Sequence, residues 1–185
     1  MGYRDTLDEV NKNAYDVFKK FLPESKTFVE TGCHYGNSLV HAVNAGYETV
    51  YSCDIFPERV KYSNARVAGM CKKAVIKNKK SIDFLKDILP ELEEGATFWL
   101  DAHNEGGGIP TFKELELIRD YLKNKNSTII IDDIPLYFKN TISQLKALLF
   151  EINPQYDIEF EYIHPDRKNY ILIAAVKETN ESSST

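Results

Sequence analysis

Apolar residues recur along this chain in two patterns, one typical of buried strands and one typical of amphipathic helices. Short continuous apolar runs predict strands, because a parallel strand buried on both faces reads as an unbroken apolar segment. Longer segments with apolar residues at helical spacing separate them. Strands are predicted at 27–31, 49–54, 73–77, 97–101, 128–132, 156–162 and 170–176. Helices are predicted at 4–22, 37–44, 57–68, 81–89, 111–123 and 140–152.

This alternation of strands and helices predicts an α/β fold with a doubly wound, mostly parallel, seven-stranded Rossmann-like sheet. The connection between the last two strands is too short for a helical crossover, so we expect them to pair antiparallel at one edge. Thr111 and Glu114 have the spacing of a capping box at the start of their helix. Residues 1–185 are predicted to form a single domain, with a polar tail at about 179–185 that we expect to be disordered.

The composition excludes several classes of partner. The chain has 23 Lys and Arg residues against 28 Asp and Glu residues, which argues against a broad nucleic-acid footprint. No apolar run is long enough to span a membrane, and the first residues lack a signal-peptide core. Three cysteines form no metal or redox motif, so we expect reduced thiols and a cytoplasmic location. The pattern leaves open a homo-oligomer or a place in a larger polypeptide.

Two predicted strands end in acidic residues. The run 97–101 ends in Asp101, with His103 just beyond, and the run 128–132 leads into Asp132 and Asp133. Ligands of open α/β sheets bind at the carboxyl ends of the strands, so these side chains are expected to share one crevice. Close carboxylates raise each other's pKa unless something compensates them, and a hard divalent cation such as Mg²⁺ or Mn²⁺ is the natural partner. The less favoured interpretation is that the three acids only cap turns at the strand ends.

A glycine loop follows the first predicted strand. It runs from Glu30 to Ser38 and contains Gly32 and Gly36, which permit a tight turn and a close approach of backbone to a ligand. Asp54 ends the second strand, where an acid suits the two hydroxyls of a nucleotide ribose. The spacing is neither that of a dinucleotide fingerprint nor that of a P-loop. We therefore predict a nucleoside pocket rather than a plain strand-to-helix turn.

These motifs together resemble a known family. The segment from Phe28 through Ser38, followed by Cys53 and Asp54, is similar to motifs I and II of class I S-adenosylmethionine-dependent methyltransferases. The Asp101-x-His103 segment with Asp132-Asp133 is similar to that of metal-dependent O-methyltransferases, most closely the macrocin-type sugar O-methyltransferases. The resemblance covers roughly residues 25 to 176, which is nearly the whole chain.

The resemblance implies a role for each matching position. Asp101, Asp132 and Asp133 match the metal ligands, and His103 matches the general base of the sugar enzymes, so the catalytic residues would be His103 and Asp101. An acid is common where this chain has Lys80, so the contact of Lys80 and Ser81 with the adenine edge departs from the family pattern. The residues implied to bind S-adenosylmethionine are Glu30, Thr31, Gly32, Cys33, Tyr35, Gly36, Asn37, Ser38, Asp54, Ile55, Lys80, Ser81 and Asp101.

The resemblance thus implies a divalent-metal-dependent O-methyltransferase. It also favours one class of acceptor over another. An Asp-x-His arrangement favours a hydroxyl of a sugar or glycan, because the catechol-type enzymes usually use a lysine as base. A small phenolic or catechol-like acceptor is the second interpretation. A nucleoside-binding module without catalysis is the third. No nucleic acid and no membrane is expected among the partners.

Overall fold

Seven strands form one mixed sheet in the computed structural model, which describes residues 14–92, 94–103, 108–163 and 171–176. The strand order is β3-β2-β1-β4-β5-β7-β6. All pairings from β3 to β5 are parallel, while β7 pairs antiparallel with both β5 and β6. The strands are β1 Thr27–Thr31, β2 Thr49–Asp54, β3 Lys73–Asn78, β4 Thr97–Leu100, β5 Thr128–Ile131, β6 Tyr156–Glu161 and β7 Ile171–Val176.

Helices connect the parallel strands and cover both faces of the sheet. A first helical segment, α1, is described at residues 14–20. The others are α2 Asn37–Ala45, α3 Pro57–Val67, α4 Ser81–Ile88, α5 Thr111–Leu122 and α6 Ile142–Ile152. The structure also has a 3-10 turn at Leu89–Glu91 and a π-helical turn at Ile134–Phe138.

Each face of the sheet carries its own hydrophobic core. Side chains alternate between faces along a strand, so Phe28 and Trp99 enter the core beneath α1, α2 and α3, whereas Phe98 and Leu100 enter the core beneath α4, α5 and α6. Trp99 packs edge-on against Phe18 of α1 at 5.1 Å between ring centroids. The doubly wound α/β fold predicted from the sequence is confirmed, with β6 and β7 antiparallel at one edge.

Most predicted boundaries agree with the structure to within about two residues, and the exceptions have local causes. The first helix was predicted to reach residue 22, but it ends at residue 20, ahead of Pro23. The capping box at Thr111 and Glu114 is wrong. Pro110 takes the capping position instead, which places Thr111 one residue inside the helix. Proline suits a helix start because it has no N–H group to leave unsatisfied.

Two sequence predictions fall outside the described residues. These are the first part of the first helix, residues 4–13, and the disordered tail at 179–185. None of the helices in the described part of the chain combines the length and apolar character needed to cross a lipid bilayer.

Candidate functional site

The candidate site lies at the carboxyl ends of β1, β2, β4 and β5. The chain order reverses between β1 and β4, because β2 and β3 extend the sheet on one side and β5 on the other. Open α/β sheets form their ligand crevice at such a switch point. The loop between β1 and α2 begins there, and its Gly32 and Cys33 N–H groups both donate to the Cys53 carbonyl, at 3.0 and 2.8 Å.

Two glycines of this loop occupy positions that no other residue would fit easily. Gly32 has a φ of 86°, and a Cβ there would stand 2.6 Å from the carbonyl oxygen of Asp101. Gly36 has a φ of 74°, and its Cβ would stand 2.8 Å from Ser63 Oγ. A positive φ disfavours L-residues, and the contact distances leave no room for a side chain. The glycine loop therefore packs directly on the backbone that carries Asp101.

Glu30 is fully buried beneath the glycine loop. Its carboxylate accepts hydrogen bonds from the hydroxyls of Ser38 and Ser52, the second at 2.6 Å. Burial raises the pKa of Glu30 to about 8, although the two serine hydrogen bonds oppose that rise. A buried acid with no cationic partner in the hydrogen bonds described for it is a ready acceptor for a cationic ligand group. The α-ammonium of a methionine portion is such a group.

Asp54 holds the same loop from the end of β2. Its two carboxylate oxygens accept the backbone N–H groups of His34 and Phe56, each at 2.9 Å. Arg59 Nη1 lies 3.6 Å from the same carboxylate. Each carboxylate oxygen has two acceptor sites, so these bonds leave capacity for ribose hydroxyls. Asp54 thus organises the loop in addition to its predicted contact with ribose.

The other predicted cofactor residues are placed around this loop, with different exposure. Tyr35 is exposed, Ile55 is half-buried, and Lys80 is exposed at the start of α4 beside the buried Ser81. Asn37 accepts a hydrogen bond from Arg66, which also donates to the Tyr35 carbonyl at 2.9 Å. Thr31 and Cys33 are buried, and burial raises the pKa of the Cys33 thiol to about 12, so this thiol stays protonated and is not a nucleophile.

Asp101, His103 and Asp133 form a compact cluster on the other side of the crevice. His103 Nε2 lies 3.1 Å from Asp101 Oδ1 and 3.1 Å from Asp133 Oδ2. One donor atom from each of the three residues lies within 4.8 Å of the others. Asp133 has a left-handed backbone conformation, with a φ of 54°, and its carboxylate contacts His103, which follows β4.

Asp132 is not part of this cluster in the described residues, although the sequence predicted it as a metal ligand. Its Oδ1 accepts the backbone N–H of Asp133 at 2.7 Å, and its side chain is buried. Burial, followed by the charges of Asp101 and Asp133, raises the pKa of Asp132 well above its usual range. His103 Nε2 thus contacts Asp101 and Asp133, and no such contact is seen for Asp132 within the described residues.

The two neighbouring carboxylates favour the protonated form of His103 in this arrangement. Burial lowers the pKa of an imidazole, but the hydrogen bonds to Asp101 and Asp133 outweigh burial and raise the pKa of His103 to about 10. A histidine that is protonated at neutral pH cannot accept a proton from a substrate. His103 can therefore act as the predicted general base only if Asp101 and Asp133 bind another group, such as a cation.

Sequence reasoning missed several residues that build the site. Tyr137 lies in the π-helical turn and stacks on His103, with 4.4 Å between the ring centroids. Ser52 beneath Glu30 could have been found, because it is a polar residue within an otherwise apolar strand. No pattern in the sequence predicts the π-helical turn, because the turn depends on the left-handed conformation of Asp133, the residue before it. The missed residues are Ser52, Arg59, Asn78 and Tyr137.

The donor set of this cluster fits a divalent cation. Two carboxylates and an imidazole converge, and oxygen donors dominate, which suits Mg²⁺ or Mn²⁺. In the part of the chain that the structure describes, both ring nitrogens of His103 are buried without a well-aligned hydrogen bond, although Nε2 lies 3.1 Å from Asp101 Oδ1 and from Asp133 Oδ2. The structure thus brings Asp101 and Asp133 together as predicted, and adds His103 as a neighbour in direct contact with both.

A separate groove lies away from the candidate site. It has a volume of about 720 Å³ and is lined by residues such as Pro23, Gly95, Thr128 and Val176. These residues mark the opposite edge of the parallel strands, where open α/β sheets do not form their ligand crevice. We therefore assign the candidate site to the carboxyl edge.

Comparison with known proteins identifies the fold. No family model matches the chain, and no curated protein sequence does so either. Among solved structures, an O-methyltransferase from Bacillus cereus, in complex with SAH (S-adenosylhomocysteine), is similar, with a TM-score of 0.60 and 15% identity over 94% of this chain and 91% of that chain. Magnesium protoporphyrin IX methyltransferase from Synechocystis PCC 6803, with bound SAM, gives a TM-score of 0.57 and 16% identity over 95% and 80%.

A third structure widens the range of acceptors. Ribosomal protein L11 methylase from Lactobacillus delbrueckii subsp. bulgaricus gives a TM-score of 0.56 and 13% identity over 96% of this chain and 80% of that chain. These structures share one fold while their names specify different acceptors. The chain therefore has the fold of class I S-adenosylmethionine-dependent methyltransferases, and its activity must be argued from its own residues.

Proposed function

We propose that this chain transfers a methyl group from S-adenosylmethionine to a hydroxyl oxygen of a sugar or glycan, with the help of a divalent cation. The observation that carries the proposal is the packing of Gly32 on Asp101. It joins a loop suited to the cofactor and a cluster suited to a cation into one crevice. A methyl donor and an activated hydroxyl must meet in such a crevice for an in-line displacement.

Each side of the crevice has a distinct task in this proposal. Glu30 binds the ammonium of the methionine portion, and Asp54 binds the ribose. Ile55 packs against the adenine, with Lys80 and Ser81 at its edge. The other contacts to the cofactor come from Thr31, Gly32, Cys33, Tyr35, Gly36, Asn37, Ser38 and Asp101.

Asp101 and Asp133 would hold the cation, and Asp132 remains a predicted third ligand. A divalent cation held there would lower the pKa of a coordinated hydroxyl and fix its position. With Asp101 and Asp133 engaged in this way, His103 would lose the two partners that raise its pKa. Its imidazole could then accept the hydroxyl proton. Tyr137 keeps the imidazole in place by stacking on it.

The preference for an alcohol over a phenol follows from this arrangement. A phenol has a pKa of about 10 and ionises with little help, whereas an alcohol needs both a cation and a base. A cluster that supplies two carboxylates and an imidazole provides both. A small phenolic or catechol-like acceptor remains the second candidate, since the same cluster would also activate it.

The test separates binding from transfer. Calorimetric titration with S-adenosylhomocysteine, with and without Mn²⁺, first establishes the cofactor site. Transfer of a labelled methyl group to a panel of neutral sugars and phenols then follows, in the presence of Mg²⁺ or Mn²⁺ or of a chelator. We expect cation-dependent transfer to sugars. Cofactor binding without transfer to either class would instead favour a nucleoside-binding module, and transfer to phenols alone would favour the second candidate.

A further inference from the structure

Basic residues are concentrated in one part of an acidic chain. Residues 57–80, which form α3, β3 and the turn between them, contain eight Lys and Arg residues and a single acid, Glu58. The whole chain has a net charge of −5. Such a local reversal of sign creates a field that attracts anions to one edge of the molecule.

The lysines in and beside β3 contribute less to an anion site, because neighbouring acids already pair with four of them. Glu48 pairs with Lys72, and Asp87 pairs with Lys77 and Lys79, at 3.2 and 2.6 Å for the last two. β3 is also the edge strand of the sheet, where lysines protect against pairing with other chains. On α3, Arg59 pairs with Asp54 at 3.6 Å, and within the described residues no ion pair is seen for Lys61 or Arg66, so these two carry the charge available to a ligand.

The cations of α3 stand among exposed aromatic rings. Phe56 is 43% exposed, and the guanidinium of Arg59 lies 4.4 Å from the centre of its ring. Tyr62 is 54% exposed, and Arg66 lies 6.0 Å from its ring centre. Tyr35 contacts the Tyr62 ring at 5.6 Å. We call the surface formed by Tyr35, Phe56, Arg59, Lys61, Tyr62 and Arg66 the α3 surface.

Exposed aromatic rings of this kind are costly unless a partner covers them. Eight of the described residues have large exposed apolar side chains, and three of these residues lie on the α3 surface. Ring faces carry partial negative charge and attract both cations and the C–H groups of a sugar face. A guanidinium supplies several donors in one plane for a carboxylate or a phosphate. Rings and cations together thus match a sugar that bears an anionic group.

The α3 surface borders the cofactor loop. Tyr35 belongs to the loop after β1, and Arg59 contacts the Asp54 carboxylate that also binds the His34 N–H. α3 begins at Pro57, at the same edge of the sheet as the candidate site. A chain of sugars that reaches the site from this direction would cross the α3 surface.

We propose that the α3 surface binds an anionic oligosaccharide as the remote part of the acceptor, an inference that rests on the proposed function. The few cations of α3 suit a short oligosaccharide that carries only a few charges. A long nucleic acid would extend beyond this small positive area onto a protein whose net charge is −5. The ring faces add contacts that a simple anion would not use.

Binding can be measured without methyl transfer. Calorimetric titration with tetragalacturonate, without cofactor and in the presence of a chelator, is compared with titrations of neutral maltotetraose and of a thymidine tetranucleotide. We expect tetragalacturonate to bind most tightly and its affinity to fall with added salt. Failure to bind would overturn the inference and leave the proposed function intact, because transfer to neutral sugars is tested separately.

Matched variants then locate the site. Tyr62→Ala and Lys61→Glu should each weaken tetragalacturonate binding by roughly tenfold, since each removes one part of the contact surface. Tyr121→Ala and Lys113→Glu are the controls, because they change an exposed tyrosine and an exposed lysine on α5. Equal losses in variants and controls would overturn the inference. Tighter binding of the tetranucleotide than of tetragalacturonate would also overturn it, in favour of a nucleic-acid surface.

Discussion

Gly32 packs so closely on Asp101 that a Cβ on the glycine would stand 2.6 Å from the carbonyl oxygen of Asp101. The contact is between backbones, so no side-chain rotation can relieve it. It fixes the cofactor loop relative to the cluster of Asp101, His103 and Asp133. A change at Gly32 should therefore disturb both halves of the candidate site at once.

We predict that Gly32→Ala destabilises the fold by more than the positive φ alone would explain. A positive φ costs a residue with a Cβ about 1–2 kcal/mol, and forcing a methyl group into a packed site typically adds 1–3 kcal/mol. Gly69→Ala is the matched control, because Gly69 has a φ of 75° with nothing within 4 Å of its Cβ position. Urea denaturation measures both. Equal losses would show that the contact with Asp101 is readily relieved.

Asp54→Ala should weaken S-adenosylhomocysteine binding by on the order of 2–4 kcal/mol, since charged hydrogen bonds are strong. The same change removes the acceptor for the His34 and Phe56 N–H groups, so the loop is loosened as well. Asp54→Asn separates the two effects, because one amide oxygen can still accept one of these bonds. Calorimetry should show an intermediate affinity for this variant. Unchanged affinity in a folded Asp54→Ala variant would place the nucleoside elsewhere.

Burial raises the pKa of Glu30 to about 8, which predicts a specific pH dependence. Between the ordinary pKa of glutamate, 4.5, and about 8, the folded chain keeps a proton that the unfolded chain has released. The contribution of Glu30 to stability is therefore complete below pH 4.5 and is lost as the pH rises toward 8. Glu30→Gln should remove this decline, whereas Glu24→Gln, at an exposed position, should not. Denaturation at several pH values measures the slopes.

The same proton affects cofactor binding. If the ionised carboxylate of Glu30 binds an ammonium group, the affinity for S-adenosylhomocysteine should rise with pH up to about 8 and then level off. Glu30→Gln should bind more weakly, without this pH dependence. A wild-type affinity that is constant between pH 6 and pH 8 would contradict the assignment of Glu30 to the ammonium.

The limits of sequence reasoning are visible at the two neighbouring acids after β5. The predicted strand 128–132 ends within one residue of the observed strand, because a parallel strand buried on both faces reads as a continuous apolar segment. Which acid faces His103 depends on the left-handed conformation of Asp133 and on the π-helical turn that follows it. Tyr137 belongs to that turn, and its N–H donates to the Asp133 carbonyl at 3.1 Å. The sequence therefore predicted the edge and the residue types, but not the choice between Asp132 and Asp133.

On the cofactor side too, the sequence predicted the strand ends but not the contacts around them. The position of Glu30 and Asp54 at successive strand ends followed from the strand pattern, and the structure confirms both strand ends. The hydrogen bonds of Asp54 to the loop could not be foreseen, because they depend on how the loop folds back over β2. Arg59 likewise reaches Asp54 only because α3 packs beside that loop.

Cation binding should distinguish the three acids. Asp101→Asn and Asp133→Asn should each weaken Mn²⁺ binding by roughly tenfold or more, because each removes a charged oxygen ligand. Asp132→Asn should have a smaller effect, since the Asp132 carboxylate is engaged by the Asp133 N–H. Methyl transfer should stop in excess chelator and return with Mg²⁺ or Mn²⁺. Full turnover with chelator present would remove the cation from the proposed reaction.

His103 supplies the most discriminating experiment, because it can serve either as the proposed base or as a third cation ligand, and the two roles have different consequences. If it accepts the hydroxyl proton, His103→Ala should lower the rate of transfer by roughly 10² to 10⁴-fold and leave the affinity for Mn²⁺ and S-adenosylhomocysteine nearly unchanged. If it is instead a ligand, the affinity for Mn²⁺ should fall with the rate. In the absence of cation, its hydrogen bonds to Asp101 and Asp133 raise the pKa of His103 to about 10, despite the opposing effect of burial.

The protonation of His103 can be followed directly by NMR titration of its ring. Without cation, the ring should titrate near pH 10, and its contribution to stability should be complete below pH 6.5 and lost as the pH rises toward 10. With Mn²⁺ replaced by diamagnetic Mg²⁺, the base role requires titration near neutrality, because the two carboxylates are then engaged. The rate of transfer should rise through that lower pKa, and His103→Ala should lose this rise. A ring that stays protonated at pH 8 with Mg²⁺ bound would exclude His103 as the base.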